Sequence, residues 1–383
     1  MADIIYFDNS ATTGIYPEVL HGMNDVYSSL YGNPSSLHKI GSDAEKVLHN
    51  AREIIAKTLG AEEDEIYFTS GGTESNNWAI KGTSRANRKR GSHIITSAIE
   101  HPSVLESFSH LETEGFSSEI LEVGADGLLD PKRIGSKVND ETILASFILV
   151  NNETGAIQKA DELIHAIRYR NPKTIIHVDA VQAYGKIPVN LSRLDVDLLS
   201  ISAHKIHGPK GCGALYIRKN TRIHPIIHGG GQERRFRSGT ENVPGIYGFA
   251  LAAEIIHQHM EQNRKNAGKL RSIIIQGLSD IFSQCQYSIN SPEDGYEGIL
   301  NISFPRVKAQ VLMHHLEAEN IIVSVGSACS SRKNAYSHVL KAMKLPKENI
   351  EGAIRLSFSG TNTQEEAIRF LEAIRKIVPA IRY

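Results

Sequence analysis

The stretch that decides the fold is residues 143–179, ILASFILVNNETGAIQKADELIHAIRYRNPKTIIHVD. Its first run, 143–150, and its last, 174–179, are apolar at successive positions, as expected of parallel strands that are covered on both faces. Residues 161–170 between them are suited to a helix. A strand, a helix and a second strand in this order predict a parallel α/β unit.

The same alternation extends away from this stretch. Further β-rich runs and helical segments follow one another along the chain: runs at 66–69, 93–97 and 198–202, and helices at 44–59 and 102–114. In the helix 44–59 the apolar residues fall on one face, and Gly60 follows as a stop signal. This pattern predicts a large domain, residues 15–258, with a mainly parallel sheet flanked by helices.

A second, smaller α+β domain is predicted from a change of pattern. A long helical stretch begins after about residue 245, and strand-like runs follow it at 298–304 and 353–359. We expect the smaller domain to comprise residues 1–14 and 259–383.

The composition excludes several classes of protein. The chain has 383 residues, a formal net charge of −1 and 40% hydrophobic residues. This balance favours a soluble globular protein and gives no reason to expect a nucleic-acid or membrane partner. No signal peptide is visible, and three cysteines without a CxxC pair predict neither a disulfide framework nor a zinc site. We therefore expect a cytoplasmic protein without a metal, with Cys212 and Cys285 as packing residues.

A lysine and an aspartate stand at the ends of two predicted strands. Lys205 directly follows the run 198–202, and Asp179 ends the run 174–179. A lysine in this place can bond covalently to a carbonyl cofactor, and a carboxylate can keep a pyridine ring nitrogen protonated. The alternatives are a surface lysine on a loop and an aspartate that caps a helix.

The segment FTSGGTESNN, residues 68–77, joins a strand to a predicted helix. Backbone N–H groups at a helix start, together with the Thr73 hydroxyl, suit a phosphate group. The segment matches neither the P-loop nor the dinucleotide-binding pattern. A plain capped turn is the alternative.

Two more polar residues adjoin predicted strands. His101 follows the run 93–97, where an imidazole can stack on a flat ring or carry protons, or simply cap a helix. Arg355 lies among apolar neighbours in the run 353–359. A buried arginine needs an anionic partner, either a substrate carboxylate or a structural ion pair.

Cys329 lies in VGSACSS, residues 325–331, among residues too small to pack against it. A thiolate is the reactive form of cysteine. A nucleophile in such a segment can visit both a deep site and an outside acceptor. We expect residues about 328–336 to act as a mobile tether for Cys329.

Together these stretches closely resemble the cysteine desulfurases, pyridoxal-phosphate (PLP) enzymes of fold type I in the class V aminotransferase group. The resemblance extends nearly end to end, and GSACSS is similar to the NifS/IscS-type branch. The matching blocks are YFDNSATT (6–13), YGNPSSLH (31–38), GGTESNN (71–77), EHPSV (100–104), VNNETGAIQ (150–158), HVDAVQ (177–182), SAHKIHGPKG (202–211), RSGTENV (237–243) and GSACSS (326–331).

The resemblance implies a role for each matching residue. Lys205 would hold the cofactor and move the α-proton, Asp179 would pair with the pyridine nitrogen, and His101 would stack on the ring and assist proton transfer. Gln182 would hydrogen-bond to the ring hydroxyl of the cofactor. The phosphate would be bound by Gly72, Thr73, Ser202 and His204 of the same subunit, and by Thr240 of a second subunit. The substrate would be held by Asn33, Asn152 and Arg355, and Cys329 would be the nucleophile.

The resemblance also implies an activity and its partners. We expect a homodimer that converts L-cysteine to L-alanine and passes the sulfur on as a persulfide of Cys329. The acceptor protein would be an iron–sulfur scaffold or, because the chain ends at EAIRKIVPAIRY without a longer tail, a tRNA-thiolation enzyme. An aminotransferase or a kynureninase-like hydrolase would need Lys205 but no loop thiol. A regulatory sulfur-relay subunit would bind no cofactor.

Overall fold

The computed structural model describes residues 4–326 and 336–383 of the protein. Cys329 and nearly all of the predicted tether, 328–336, lie outside the described residues. The strands of the described part are β1 Ile5–Tyr6, β2 Ile66–Thr69, β3 His93–Ser97, β4 Ser117–Leu121, β5 Thr142–Ile148, β6 Ile175–Asp179, β7 Leu198–Ser202, β8 Gly213–Ile217, β9 Ser288–Ile289, β10 Ile299–Ser303, β11 Ile321–Ile322, β12 Ser324–Val325 and β13 Ala353–Ser357.

The helices are interleaved with these strands. Their bounds are α1 Pro17–Ser29, α2 Lys39–Leu59, α3 Gly72–Asn77, α4 Thr83–Asn87, α5 Pro102–Thr113, α6 Pro131–Lys137, α7 Ala160–Arg170, α8 Val243–Ile281, α9 Ala309–Ala318, α10 His338–Ala342, α11 Lys347–Glu351 and α12 Gln364–Ile381. A π-helical turn, Trp78–Gly82, joins α3 to α4. None of the helices in the described ranges combines the length and apolar character that a membrane crossing requires.

The large sheet has seven strands in the order β2-β8-β7-β6-β5-β3-β4. The neighbours from β4 through β3, β5 and β6 to β7 are parallel, whereas β8 is antiparallel to both β7 and β2. The expectation of an α/β fold with a mainly parallel sheet is confirmed. The strands expected from the apolar runs lie in the middle of this sheet, where helices cover both faces.

The register brings the carboxyl ends of the central strands to one level. Asp179, the last residue of β6, pairs with Ile148 of β5 on one side and with Ser200 of β7 on the other. Strand β7 continues two residues further, to Ser202. This edge is where open α/β sheets place their ligands.

Helix α2 shows how local sequence fixes an element. It begins at Lys39, five residues before the predicted start, because the His38 imidazole accepts a hydrogen bond from the Gly41 N–H at 3.2 Å and caps the helix. It ends where predicted, at Gly60, whose φ of 67° lies in the left-handed region that glycine tolerates. Apolar side chains on one face are buried against the large core: Leu48, Ala51, Ile55 and Leu59.

Two hydrophobic cores are joined by α8. Its first half contributes Phe249 and Ile256 to the core around the large sheet, and its second half contributes Leu270 and Ile274 to a second core. This second core surrounds the four-stranded antiparallel sheet β12-β13-β10-β9 and the parallel pair β1-β11. The division into residues 15–258 and residues 1–14 with 259–383 stays a prediction.

Candidate active site

Asp179 is buried at the carboxyl end of β6, with 2% of its surface exposed. Its Oδ2 accepts a hydrogen bond from Asn76 Nδ2 at 2.7 Å, and its Oδ1 accepts one from the Val181 N–H at 2.9 Å. The second bond joins residues two apart in a turn, and it resembles the helix cap that was the alternative role for Asp179. The first ties the carboxylate to α3 and holds one of its oxygens in a fixed orientation.

Lys205 ends a short 3-10 turn, Ala203–Lys205, that directly follows β7. Its Nζ donates to the backbone carbonyls of Ser10 at 2.6 Å and Ala11 at 2.7 Å. This N-terminal stretch is itself held by Ser357, whose Oγ accepts the Ser10 N–H at 2.8 Å. Lys205 is therefore part of a packed, hydrogen-bonded site and not a solvated loop lysine.

His101 caps α5, as the capping alternative predicted, while its stacking and proton-transfer roles stay predictions. Its Nδ1 caps α5 by accepting the Ser103 N–H at 3.1 Å, and the Ser103 hydroxyl lies 2.8 Å from the same nitrogen. Burial lowers the pKa of the imidazole, Asp179 opposes this, and Lys205 and His338 lower it further. Because a backbone N–H donates to Nδ1, the proton of the neutral ring is on Nε2.

A chain of polar side chains links His101 to Asp179. Asn76 Nδ2 donates to both Asp179 Oδ2 and Ser103 Oγ, the second at 2.9 Å. Ser103 in turn contacts the imidazole. The sequence reasoning missed Asn76 and Ser103, although both lie inside the blocks GGTESNN and EHPSV; no local signal separates them from ordinary helix residues.

The residues predicted to bind the cofactor phosphate lie where α3 begins, beside the end of β7. Ser202 is 1% exposed, and its Oγ has no hydrogen-bond partner among the described residues. Gly71 has a φ of 148°, and a Cβ placed on it would lie 3.9 Å from that Oγ. A Cβ on Gly213 would lie 2.6 Å from the Gly71 Cα, so glycine is needed for this close approach.

The remaining residues expected around the phosphate are distributed unevenly. Gly72 opens α3, and Thr73 in its first turn is exposed. His204 Nδ1 lies 3.2 Å from Thr12 Oγ1, and burial lowers the pKa of this imidazole to about 4, with the Lys205 charge adding to the effect. Thr240 is exposed, and no side-chain hydrogen bond joins it to the other site residues within the described ranges.

Gln182 lies one turn beyond Asp179. Its Nε2 donates to the Ser10 carbonyl at 2.8 Å, the same oxygen that Lys205 contacts. Its Oε1 accepts from Lys186 Nζ at 2.6 Å. The sequence reasoning did not single out Lys186, since nothing in its neighbourhood distinguishes it from a surface lysine.

Arg355 is 3% exposed on β13. Its Nη2 forms an ion pair with Asp8 Oδ1 at 2.7 Å, and its Nη1 donates to the Asn152 carbonyl at 2.9 Å. The structural ion-pair alternative is therefore present, while Arg355 Nε has no partner in the described part of the chain. Asn33, expected to join it on the substrate, is exposed and bonds to the Ser35 N–H.

The comparisons with known proteins decide the family. The model of the family described as "Aminotransferase class-V" matches residues 5–370. The protein named cysteine desulfurase IscS of Methanosarcina thermophila is 44% identical over 378 residues, which cover 99% of this chain and 93% of that protein. This chain belongs to the cysteine desulfurases of the class V aminotransferase family.

Solved structures support the same assignment. A structure titled NifS-like protein superposes on this desulfurase with a TM-score of 0.93 at 41% identity, covering 99% of this chain and all of that one. A second, titled "SspA in complex with cysteine", has a TM-score of 0.83 at 33% identity and covers 94% of this chain and all of that one. Enzymes of this family depend on PLP. The expected resemblance and the fold type I architecture are confirmed.

Two residues that follow Cys329 in the sequence, Ser337 and His338, form hydrogen bonds beside His101. Ser337 Oγ donates to Glu153 Oε2 at 2.6 Å, and His338 Nε2 donates to the Glu100 carbonyl at 2.9 Å. Burial raises the pKa of the Glu100 carboxyl to about 8. In this desulfurase the described residues nearest to Cys329 on its C-terminal side are therefore attached beside the site.

The other cysteines differ from each other. Cys212 is buried, and burial raises the pKa of its thiol to about 11, in agreement with a packing role. The packing role expected for Cys285 is wrong, because Cys285 is exposed near the end of α8, with its Sγ 3.2 Å from Ser283 Oγ. A short, polar segment after a helix leaves nothing for this thiol to pack against.

Proposed function

We propose that this desulfurase binds PLP at the carboxyl ends of β6 and β7, removes the sulfur of L-cysteine to leave L-alanine, and carries it as a persulfide on Cys329. The observation that carries the proposal is the convergence of three groups on one sheet edge. These are the buried Asp179 carboxylate, the Lys205 amine and the Ser202 hydroxyl that lacks a partner among the described residues.

The residues present fit PLP. Asp179 would hold the pyridine nitrogen, Lys205 the aldehyde carbon, and Ser202, His204, Gly72 and Thr73 the phosphate. Bound there, PLP supplies an electron sink that stabilises negative charge at the substrate's α-carbon. Ser202 Oγ, without a partner in the described part of the chain, supports this interpretation, because a buried hydroxyl that lacks a hydrogen bond costs free energy that a phosphate oxygen would recover.

His101 and Lys205 would move the protons. Because its pKa is lowered, His101 would be neutral at pH 7, with its proton on Nε2, and this Nε2–H would donate to a group in the site. The bond from the Ser103 N–H fixes the ring, so its Nε2 edge is the one available to the site. Lys205 would take the α-proton as a neutral amine and return it later.

Arg355 would orient the substrate through its carboxylate. Two of its nitrogens are already held by Asp8 and Asn152, which fixes the guanidinium plane. Its Nε, which has no hydrogen-bond partner among the described residues, supports a further anionic contact. Asn33 and Thr240 are exposed in the single chain, in agreement with roles that a second subunit would complete.

The sulfur transfer would take place at Cys329. The thiolate attacks the substrate sulfur, an S–S bond forms and the Cβ–S bond breaks. The electron pair stays with the carbon, which is protonated to give alanine. An ordinary cysteine pKa of about 8.5 leaves only a few per cent of the thiol ionised at pH 7. His338 is bonded to the Glu100 carbonyl next to His101, and its imidazole would be a group of the right kind to assist ionisation.

The persulfide would then pass to an acceptor protein. We propose a cytoplasmic homodimer that serves an iron–sulfur scaffold, a tRNA-thiolation enzyme or both. The near-neutral net charge supports a protein acceptor over direct contact with nucleic acid.

Replacement of the nucleophile tests this proposal. We expect Cys329→Ser to keep the visible absorbance of bound PLP and to lose sulfide release from L-cysteine in the presence of a reductant. The matched control is Cys285→Ser, which removes an exposed thiol and should leave sulfide release unchanged. Undiminished sulfide release by Cys329→Ser would contradict the persulfide mechanism and favour an aminotransferase or kynureninase-like reaction. A chain that takes up no PLP would favour the sulfur-relay alternative.

A further inference from the structure

The loop that precedes α8, residues 228–239, contains a left-handed turn made of residues other than glycine. Glu233, Arg234 and Arg235 follow one another with φ values of 45°, 54° and 70°. Residues that carry a Cβ are strained in this region, which glycine adopts freely. Three strained residues in succession persist only where their surroundings fix them, and such strain is concentrated at functional sites.

The first residue of this turn is fixed by an ion pair at the edge of the large sheet. The Glu233 side chain is 3% exposed, and its two oxygens accept from the two terminal nitrogens of Arg52, each at 2.8 Å. Glu233 Oε2 also accepts the Phe68 N–H at 2.9 Å, and Arg52 Nη1 donates to the Ile66 carbonyl at 2.5 Å. Both backbone groups belong to β2, the end strand of the sheet. The turn is therefore attached to a strand.

The residues that follow the turn are attached as well. The Phe236 ring packs against the rings of Tyr67 and Trp78, with centroids 5.2 and 6.4 Å away. The Gly239 N–H donates to Gln232 Oε1 at 2.9 Å. These contacts restrict the backbone of the loop as far as residue 239.

Arg237 joins the loop to the start of α3. Its Nε donates to Glu74 Oε1 at 2.8 Å, and its Nη2 donates to Glu74 Oε2 at 3.1 Å. The second of these oxygens also accepts the Ser70 N–H at 2.7 Å. Burial raises the pKa of the Glu74 carboxyl, but the bonds from Arg237 and Ser70 outweigh this effect and bring the pKa below its usual value. The pair is thus charged at neutral pH, with two parallel bonds that fix its geometry.

Thr240 comes directly after these attachments, yet it is exposed. On its C-terminal side Asn242 caps α8, since its side chain accepts the Gly245 N–H at 3.1 Å. Thr240 is therefore an exposed residue on a backbone that is fixed on both sides. A strained loop that presents an exposed hydroxyl is suited to a ligand outside its own chain.

We propose that Arg237 and the left-handed turn Glu233–Arg235 are positioning elements that fix the Thr240 hydroxyl for the phosphate of PLP in a second subunit. This inference rests on the proposed function, in which Thr240 of one subunit completes the phosphate site of the other. A loop that is already ordered lowers the cost of binding, because nothing has to be immobilised when the phosphate arrives.

The first test removes the ion pair between the loop and α3 in the full-length protein. We expect Arg237→Met to raise the Kd for PLP about fivefold, which corresponds to about 1 kcal/mol. Arg85→Met is the matched control, because Arg85 forms the same kind of two-bond pair with Glu114, at 3.0 and 2.5 Å, without a residue of the loop. This control should leave the Kd unchanged. An unchanged Kd in Arg237→Met would overturn the inference.

A double substitution tests whether Arg237 acts through Thr240. In a chain that already carries Thr240→Ala, Arg237→Met should raise the Kd for PLP no further, because the hydroxyl that it positions is gone. Equal increases with and without the Thr240 hydroxyl would contradict the positioning role.

Mixed dimers separate a role across subunits from a structural role within one chain. When Lys205→Ala and Arg237→Met are in one chain, the remaining Lys205 is in the other chain and receives Thr240 from the altered loop. Its Kd for PLP, measured from the fraction of Lys205 that borohydride links to PLP, should be about fivefold higher. When the two substitutions are in different chains, the remaining Lys205 receives Thr240 from an unaltered loop, and the Kd should match that of the parent. Weaker binding in this second dimer would overturn the inference.

The strained turn has its own matched pair of variants at Arg235, which is exposed. Arg235→Ala removes the side chain and keeps the strain, whereas Arg235→Gly also frees the backbone. Compared with Arg235→Ala, Arg235→Gly should raise the Kd for PLP about threefold. Its urea midpoint without cofactor should be equal or higher, because relief of strain offsets the greater freedom of the unfolded chain. An equal Kd together with a lower midpoint would refute the role of the turn.

This inference and the proposed function fail separately. Amide exchange of residues 238–241 in the cofactor-free protein should be at least tenfold faster in Arg237→Met and unchanged in Arg85→Met. If exchange is faster but the protein takes up no PLP, the loop is fixed as inferred and the proposed function fails. If Thr240→Ala weakens PLP binding but Arg237→Met changes neither exchange nor Kd, only this inference is wrong. Should Arg237→Met not fold, the two Arg235 variants decide.

Discussion

At the scale of one residue, the Ser202 hydroxyl shows how a binding site can lower the free energy of unfolding when no ligand is bound. Its Oγ is buried at the end of β7 and has no partner in the described residues, whereas the carboxylate of Asp179 nearby has both oxygens occupied. A buried hydroxyl without a hydrogen bond costs about 1–3 kcal/mol. That cost would be recovered only when a ligand oxygen reaches it.

Ser202→Ala should therefore have opposite effects on stability and on binding. Without PLP, the free energy of unfolding should stay equal or rise by up to about 1 kcal/mol, because the unsatisfied oxygen is gone. The Kd for PLP should rise about tenfold, which corresponds to about 1.4 kcal/mol. Urea unfolding of the cofactor-free chain and a PLP titration measure the two quantities. Lower stability together with unchanged PLP affinity would show that Ser202 has a structural role only.

At the scale of elements, His177 ties together the three central strands of the large sheet. It lies on β6 with no exposed surface, and its ring nitrogens are 2.8 Å from Ser146 Oγ on β5 and 2.9 Å from Ser200 Oγ on β7. Burial lowers the pKa of this imidazole to about 3. The ring is therefore neutral in the fold and acts as a cross-strand hydrogen-bond bridge.

This bridge predicts a pH dependence of stability. The unfolded chain protonates His177 below about pH 6.5, while the folded chain does so only near pH 3. Stability should thus be lost as pH falls from 6.5, by about 2 kcal/mol at pH 5 from this residue. His177→Gln, which can still bond to both serines, should lose less stability in urea unfolding between pH 7.5 and pH 5. The exposed His315→Gln is the control, and an equal loss in all three chains would refute the assignment.

The element scale also shows what the sequence can and cannot predict. The central strands were predictable because they are apolar at successive positions, but β4 was missed because its edge position leaves Ser117 and Ile120 exposed and interrupts that pattern. The strand order and the antiparallel β8 depend on contacts between distant segments, which no local pattern reports. Asn76 and Lys186 were missed for the same reason, since only packing separates them from surface residues.

At the scale of the whole molecule, the exposed residues Thr240 and Asn33 bear on assembly. Both match blocks of the family motif, yet both are exposed in the single chain, where Asn33 accepts a local hydrogen bond from the Ser35 N–H. A homodimer in which each subunit completes its partner's site would account for both positions.

Sedimentation and PLP binding test that assembly together. We expect the protein to sediment with twice the mass of the single chain. Thr240→Ala should keep this mass but raise the Kd for PLP several-fold, because one phosphate hydrogen bond contributes about 1–2 kcal/mol. The comparison is Thr361→Ala, which removes another exposed hydroxyl. A monomer that binds PLP at full strength would refute the shared site.

Helix α8 sets a limit on how the enzyme can move. Its 39 residues form a rod of about 58 Å, at 1.5 Å per residue, that is shared by both cores. Its only proline, Pro244, is in the first turn, where it does not interrupt the hydrogen bonds of the helix. A hinge between the two lobes would have to break these bonds at the middle of the rod. Substrate entry and sulfur delivery must therefore rely on displacement of surface segments, with the two lobes behaving as a single stiff frame.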